Sequence, residues 1–168
     1  MCYKKMKFIK TCLLFIGVLT GFISHAQEVP VIKIKQLNAL MQPDKQDTLY
    51  VINFWATWCK PCVEELPEFM KAKDEFGDKP VKFIFISLDF MRNYDDRLLP
   101  FVKEKNMDHV YLLNEPDYNS WIGLVDKNWE GSLPATLFVK GKSKSFFEKQ
   151  LTFDEISDNI KKNLNNIK

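Results

Sequence analysis

The chain has 168 residues, 46% of them hydrophobic and 27% charged, with a formal net charge of +2. That length fits one domain with a core and excludes two domains of ordinary size. No basic stripe of the kind nucleic-acid binding requires is present, so no nucleic-acid partner is expected.

The first residues differ from the rest. Lys4, Lys5, Lys7 and Lys10 precede an almost wholly apolar run from Thr11 to Ile23, closed by Ser24-His25-Ala26. A basic start, a short apolar run and a small-x-Ala end are the parts of a secretory signal peptide. The run is too short for a comfortable membrane span. The reading is a signal peptide over 1–26 and a single domain over 27–168; the alternative is an uncleaved tether to the membrane. Cys12 lacks the small residues that usually precede a lipid-modified cysteine. Removing the four lysines of 1–26, which have no acid beside them, turns the charge of +2 into −2. Cys2 and Cys12 leave as well, and Cys59 and Cys62 remain.

Along the mature chain, Val31 to Ile34 reads as a short edge strand and Gln36 to Met41 as a brief helix. Pro43 to Asp47 is turn material. Leu49 to Phe54 is a continuous apolar run, as a strand buried on both faces requires. Pro61 to Phe76 reads as a helix kinked at Pro67, whose nitrogen cannot close the helical bond. Val81 to Leu88 is a second strong strand, Arg97 to Lys105 a helix, Val110 to Leu113 a short strand and Tyr118 to Val125 another helix. Ala135 to Val139 and Ser145 to Glu148 form a hairpin turning at Gly141-Lys142. Thr152 to Leu164 closes the chain as a helix, with Thr152 and Glu155 spaced as a capping box. Alternating strands and helices predict an α/β fold, a sheet covered by helices.

Cys59-Lys60-Pro61-Cys62 follows a buried strand and opens a helix. A bridge across two residues closes almost no loop, so it is a poor staple and better suited to reaction. The first turn of a helix carries unpaired N–H groups and partial positive charge, which favour a thiolate. Pro61 fits there because its missing N–H costs nothing, and Lys60 adds a positive charge. The expected roles are Cys59 as exposed nucleophile and Cys62 as the deeper resolving thiol. An inert disulfide or a metal site competes with this reading. Zinc calls for three or four protein ligands, whereas the mature chain offers two Cys and His109; no metal and no cofactor beyond the cysteine pair itself is expected.

The run from Asn53 to Cys62, Asn-Phe-Trp-Ala-Thr-Trp-Cys-Lys-Pro-Cys, resembles the active-site stretch of the thioredoxin superfamily. Pro67 matches that family's helix proline, and Leu133-Pro134-Ala135-Thr136 resembles its cis-proline loop. Glu64-Glu65-Leu66-Pro67, and an inserted helix and strand at about Arg97 to Leu113, are similar to the TlpA/ResA-like exported reductases. The resemblance implies a mixed sheet of four to five strands flanked by helices. It also implies a cis Pro134 that leaves the Leu133 backbone free to pair with a substrate, and electrons from a membrane-embedded thiol carrier. Cytoplasmic thioredoxins have a buried Asp where Asn53 stands; in the TlpA/ResA-like branch a Glu matching Glu65 handles protons instead. Burial would raise its pKa and suit it to that exchange. Trp58, Lys60, Pro61, Leu133 and Pro134 are then the expected substrate-binding residues. Trp55 and Trp58 divide between core and rim, Trp121 and Trp129 are assigned to the core, with the substrate groove as the alternative for Trp129 because it shortly precedes Pro134, and Glu64, Asp95 and Asp96 are surface acids.

The function that follows is a periplasmic or exported disulfide reductase, free or tethered to the outer face of the cytoplasmic membrane, acting on exported proteins with cysteine pairs. Apocytochrome c before haem attachment is one substrate the resemblance implies. A disulfide oxidase or isomerase, a copper-binding chaperone and a thiol peroxidase are the alternatives. For the last, the proline and threonine usually set ahead of a peroxidatic cysteine are not matched by Thr57.

Overall fold

The structure is a computed structural model and describes residues 28–42 and 47–165; the leader assigned to 1–26 and most of the turn at 43–47 lie outside them. Six strands form one sheet: β1 (Val31–Ile32), β2 (Leu49–Trp55), β3 (Val81–Ser87), β4 (Val110–Leu113), β5 (Ala135–Lys140) and β6 (Ser143–Phe147). Five α-helices accompany them: α1 (Ile34–Met41), α2 (Lys60–Glu75), α3 (Leu99–Glu104), α4 (Ile122–Val125) and α5 (Phe153–Asn165). The strand order is β1-β4-β3-β2-β5-β6. β1, β4, β3 and β2 run parallel, and β5 and β6 are antiparallel to their neighbours.

The apolar run read as a doubly buried strand is the centre of this sheet. β2 pairs over its whole length with β3 and over five residues with β5. All seven of its residues are buried. Successive side chains of a strand point to opposite faces, and β2 splits accordingly. Leu49, Val51 and Trp55 join Phe69, Phe85 and Phe138 in the core beneath α2 and α5. Tyr50, Ile52 and Phe54 join Leu37, Trp121 and Trp129 in the core on the other face. Asn53 falls by the same alternation on the α2 side, a polar residue in an apolar layer.

The observed elements depart from the sequence reading in several places, among them the last strand, which runs over Ser143–Phe147 rather than Ser145 to Glu148. The first strand stops at Ile32, because α1 already begins at Ile34: the Gln36 side chain accepts from the Lys33 N–H, and the Glu115 carboxylate accepts from the Ile34 N–H. This two-residue strand is held by Leu112 N–H on Pro30 C=O and Asn114 N–H on Ile32 C=O; counting it, the sheet has six strands where four to five were expected. Helical backbone starts at Met91, well before Arg97, as a 3-10 turn (Met91–Asn93) and a π turn (Tyr94–Leu98). Pro100 has no N–H to give the α ladder, and the Leu99 N–H reaches back five residues to Tyr94 C=O. The stretch from Tyr118 is two short turns, broken at Trp121, whose indole is buried whole in the core. The last hairpin turns at Gly141-Lys142 as expected, with Lys140 opposite Ser143 and Gly141 at a φ of 56°.

α2 runs unbroken through Pro67. Asp95 and Asp96 are exposed, on the π turn and not in a loop. Among the described residues no helix is long and apolar enough to cross a membrane.

α5 starts with the expected capping box. The Thr152 hydroxyl accepts from the Glu155 N–H at 3.3 Å, and the Glu155 carboxylate accepts from the Thr152 N–H at 2.9 Å. Thr152→Ala is expected to lower unfolding stability by about 1 kcal/mol, measured by urea titration, because it strips the cap from the helix.

Candidate active site

Cys59 caps α2. Its backbone is extended (φ −88°, ψ 98°), and its Sγ accepts a hydrogen bond from the Cys62 N–H at 3.3 Å. The sequence produces this locally: β2 ends at Trp55, a turn closes with Cys59 N–H on Ala56 C=O, and Pro61 sits in the first helical turn. Cys59 and Cys62 are joined in a disulfide with their Cα atoms 5.3 Å apart. The two differ in access. Cys59 keeps 6% of its surface exposed and Cys62 none. An incoming sulfur therefore meets Cys59.

Cys59 opens onto a groove of about 610 Å³. Trp58, Lys60, Pro61 and Leu133 line it, four of the five residues expected to bind substrate. Pro134 is cis, as expected, and lies buried behind Leu133. Trp58 is 48% exposed at the rim, whereas Trp55 is wholly buried. Lys60 is solvated and faces Glu64 at 3.6 Å, an exposed pair of small energetic weight. Leu88, Tyr118, Gly131 and Ser132 complete the wall. The sequence reading missed them, since loops contribute them from separate places and no local pattern links them to the cysteines. Trp121 and Trp129 are buried, in keeping with core packing.

The turn ahead of Cys59 has an anchor that the sequence reading also missed. The Asp89 carboxylate accepts from the Thr57 N–H at 3.0 Å, the Thr57 hydroxyl at 2.6 Å and the Ser87 hydroxyl at 2.8 Å. An acid directly after the apolar run 81–88 was the available signal.

Glu65 lies three residues beyond Cys62, one turn along the same face of α2, and is completely buried. One carboxylate oxygen accepts from Asn53 Nδ2 at 2.8 Å and the other from the Leu151 N–H at 2.9 Å. Asn53 also donates to Thr136 Oγ1 at 3.1 Å. Burial pushes the Glu65 carboxyl up to about 7, against the pull of the Leu151 and Asn53 hydrogen bonds, which favour the charged form. Asn53 thus stands next to the titrating group without titrating itself. Glu64 points to solvent.

Residues 27–144 match the AhpC/TSA family. The thiol-disulfide oxidoreductase ResA of Oceanobacillus iheyensis is 31% identical over 109 residues, covering 63% of this chain and 52% of that protein. The chain therefore spans about half the length of that curated relative. A thioredoxin-related protein from Neisseria meningitidis serogroup B superposes with a TM-score of 0.60 at 21% identity, over 74% of this chain and 90% of that one. A secreted disulfide oxidoreductase of Mycobacterium tuberculosis gives 0.53 at 20% identity, over 70% and 83%. The fold is thioredoxin-like.

Glu65 also gives the fold a pH dependence. Its folded pKa of about 7 exceeds the 4.5 of an unperturbed glutamate, so the folded state binds more protons than the unfolded state between those values, and stability falls as pH rises through that window. Between pH 5 and pH 8 this component amounts to about 2–3 kcal/mol. Urea unfolding of the oxidised protein at the two pH values is expected to show it, and Glu65→Gln to remove it.

Proposed function

The chain belongs to the AhpC/TSA family, and from that premise we propose that it is a thiol–disulfide oxidoreductase that reduces disulfides of exported proteins through a Cys59–Cys62 cycle. The observation that carries this reading is the asymmetry of the pair. One sulfur caps a 16-residue helix at the floor of a groove, and its partner is sealed behind it.

The reaction runs from the dithiol form. The Cys59 thiolate, favoured by the helix N-terminus, attacks one sulfur of a substrate disulfide. That bond breaks, and the far substrate sulfur leaves as a thiolate. Cys62 then gives up its proton and attacks Cys59 Sγ, releasing the second substrate sulfur and closing the Cys59–Cys62 disulfide. Two electrons pass to the substrate. Glu65, buried one turn from Cys62 and poised near neutrality, accepts the Cys62 proton in this direction and returns it in the other. The disulfide seen here is the spent form, and an external dithiol donor, a membrane-embedded carrier in this reading, restores it.

Export rests on the composition of 1–26 and on relatives such as the secreted Mycobacterium tuberculosis protein. The reductive direction and the envelope location rest on the likeness to TlpA/ResA-like reductases. In this reading 1–26 is a leader or tether, 27–168 is the working domain, and the cysteine pair serves as its own redox group. A peroxidase is less well supported, because the Thr57 hydroxyl is committed to Asp89.

Turnover of insulin disulfides with dithiothreitol as donor tests the cycle. Cys59→Ser is expected to lose activity by roughly a thousand-fold or more, and full retention would overturn the assignment of the nucleophile. Cys62→Ser is expected to trap mixed disulfides, visible on non-reducing gels and by mass spectrometry. Glu65→Gln is expected to slow turnover on the order of 10²-fold and to erase an ionisation near pH 7 from the pH–rate profile. The reduction potential is expected nearer the ~−270 mV of a thioredoxin than the ~−120 mV of a dedicated oxidase. Tight stoichiometric Cu(I) binding without disulfide turnover would favour a copper chaperone instead.

A further inference from the structure

Glu148 stands just beyond the end of β6, opposite the loop leading into Pro134, and the chemistry above does not use it. Its carboxylate takes two backbone donors from that loop. The Glu130 N–H donates to Oε2 at 3.0 Å, and the Ser132 N–H donates to Oε1 at 2.7 Å. Gly131, between them, has a φ of 94°. A residue in that left-handed region lets N–H groups on either side turn towards one anion. Ser132 is also held through its carbonyl, which accepts from the Trp129 indole at 3.0 Å. Trp129 is itself fixed by rings of the core, with centroids 4.9 Å from Phe54 and 5.4 Å from Trp121.

Both polar backbone groups of Ser132 are thus tied down. The next residue, Leu133, lies in the groove wall with Cys59. Among the described residues, neither the N–H nor the C=O of Leu133 has a hydrogen-bond partner. A protein segment lying beside Cys59 has two backbone groups there to pair with, and that pairing requires Leu133 to be held at a fixed orientation.

We propose that Glu148 is a positioning residue for substrate: by gripping Glu130 and Ser132 it presents the free backbone of Leu133 to an extended, disulfide-bearing protein segment. The inference rests on the thiol–disulfide reading. A carboxylate suits the task because it has two acceptor oxygens and its charge strengthens both bonds. A glutamine of the same size has one acceptor and loses half the grip. The substrate class implied is polypeptide backbone in extended conformation, recognised independently of its side chains. A small disulfide without a backbone gains nothing from the device.

The test compares insulin with the small aromatic disulfide DTNB, each reduced by the pre-reduced protein freed of dithiothreitol, since dithiothreitol itself reduces DTNB directly. Glu148→Gln is expected to raise KM for insulin about five-fold more than KM for DTNB, with kcat changing less than about two-fold. The pH dependence of Cys59 alkylation by iodoacetamide is expected to match wild type, since Glu148 acts on the substrate and not on the sulfur. Gly131→Ala approaches the loop independently. An added Cβ would meet no atom nearer than Ile122 Cδ1, at 3.9 Å, but a φ of 94° strains any side chain there, and the same selective rise in insulin KM is expected. A wild-type insulin KM in either variant overturns the proposal. So does an equal loss on both substrates, or a Glu148→Gln melting temperature so lowered that the role is structural. A wild-type protein that reduces neither substrate removes the thiol–disulfide reading and this inference with it.

Discussion

The site depends on where helix α2 begins. β2 is buried on both faces and paired on both edges, so its end is fixed in three dimensions. Four residues separate its end from the helix. In that turn Cys59 N–H bonds Ala56 C=O, and Asp89 takes both donors of Thr57. Cys59 is left as the cap, its sulfur on the outside of the first turn and in line with the helix dipole. Cys62, three residues on, is carried by the helical turn into the core, where it is fully buried. The difference in access between the two sulfurs follows from helix geometry and needs no loop motion.

Behind the sulfurs, a small polar network is set in an apolar layer. Glu65 comes from α2, Asn53 from β2, Thr136 from β5, and the Leu151 N–H from the connection ahead of α5. Asn53 and Thr136 are cross-strand partners in the β2–β5 ladder, which sets their contact. Leu151 is placed by the Thr152 cap that follows it. Four segments distant in sequence therefore meet at one carboxyl group. Such a network specifies a register as well as a site, since a one-residue slip of β2 would send Asn53 to the opposite face.

Much of this was legible in the sequence where the signal was local. The apolar run 49–54, the Cys59-Lys60-Pro61-Cys62 spacing, the Thr152–Glu155 cap and the Gly141-Lys142 turn each carry their meaning within a few residues, and each appears where expected. Pro134 and Glu65 were legible through resemblance, because a proline bond's isomer and a glutamate's burial are properties of the surrounding fold. The helix expected over 97–105 is present, but the turns ahead of it from Met91 were missed, because Pro100 alters the hydrogen-bond ladder before it, an effect that hydrophobic periodicity does not register. Trp121 broke an expected helix because core volume outweighed local propensity. Tyr118 and Ser132 had no local signal, since only the tertiary fold brings their segments to the groove beside Cys59, whereas Asp89 was signalled by its place directly after the apolar run 81–88.

Glu65 is also the point at which stability and chemistry part company. An apolar side chain of similar size would remove the desolvation penalty that lifts its pKa. Asn53 adds to the cost, for its Oδ1 is buried without a donor. Neither residue strengthens the apolar packing around it, yet both are fully buried, and Glu65 lies one helical turn from Cys62. A carboxyl held near 7 is divided between its two protonation states at neutral pH, which a solvated glutamate is not. The thermodynamic penalty and the capacity to exchange a proton have the same physical origin, the exclusion of water from Glu65. Opening the site to lower the one would abolish the other.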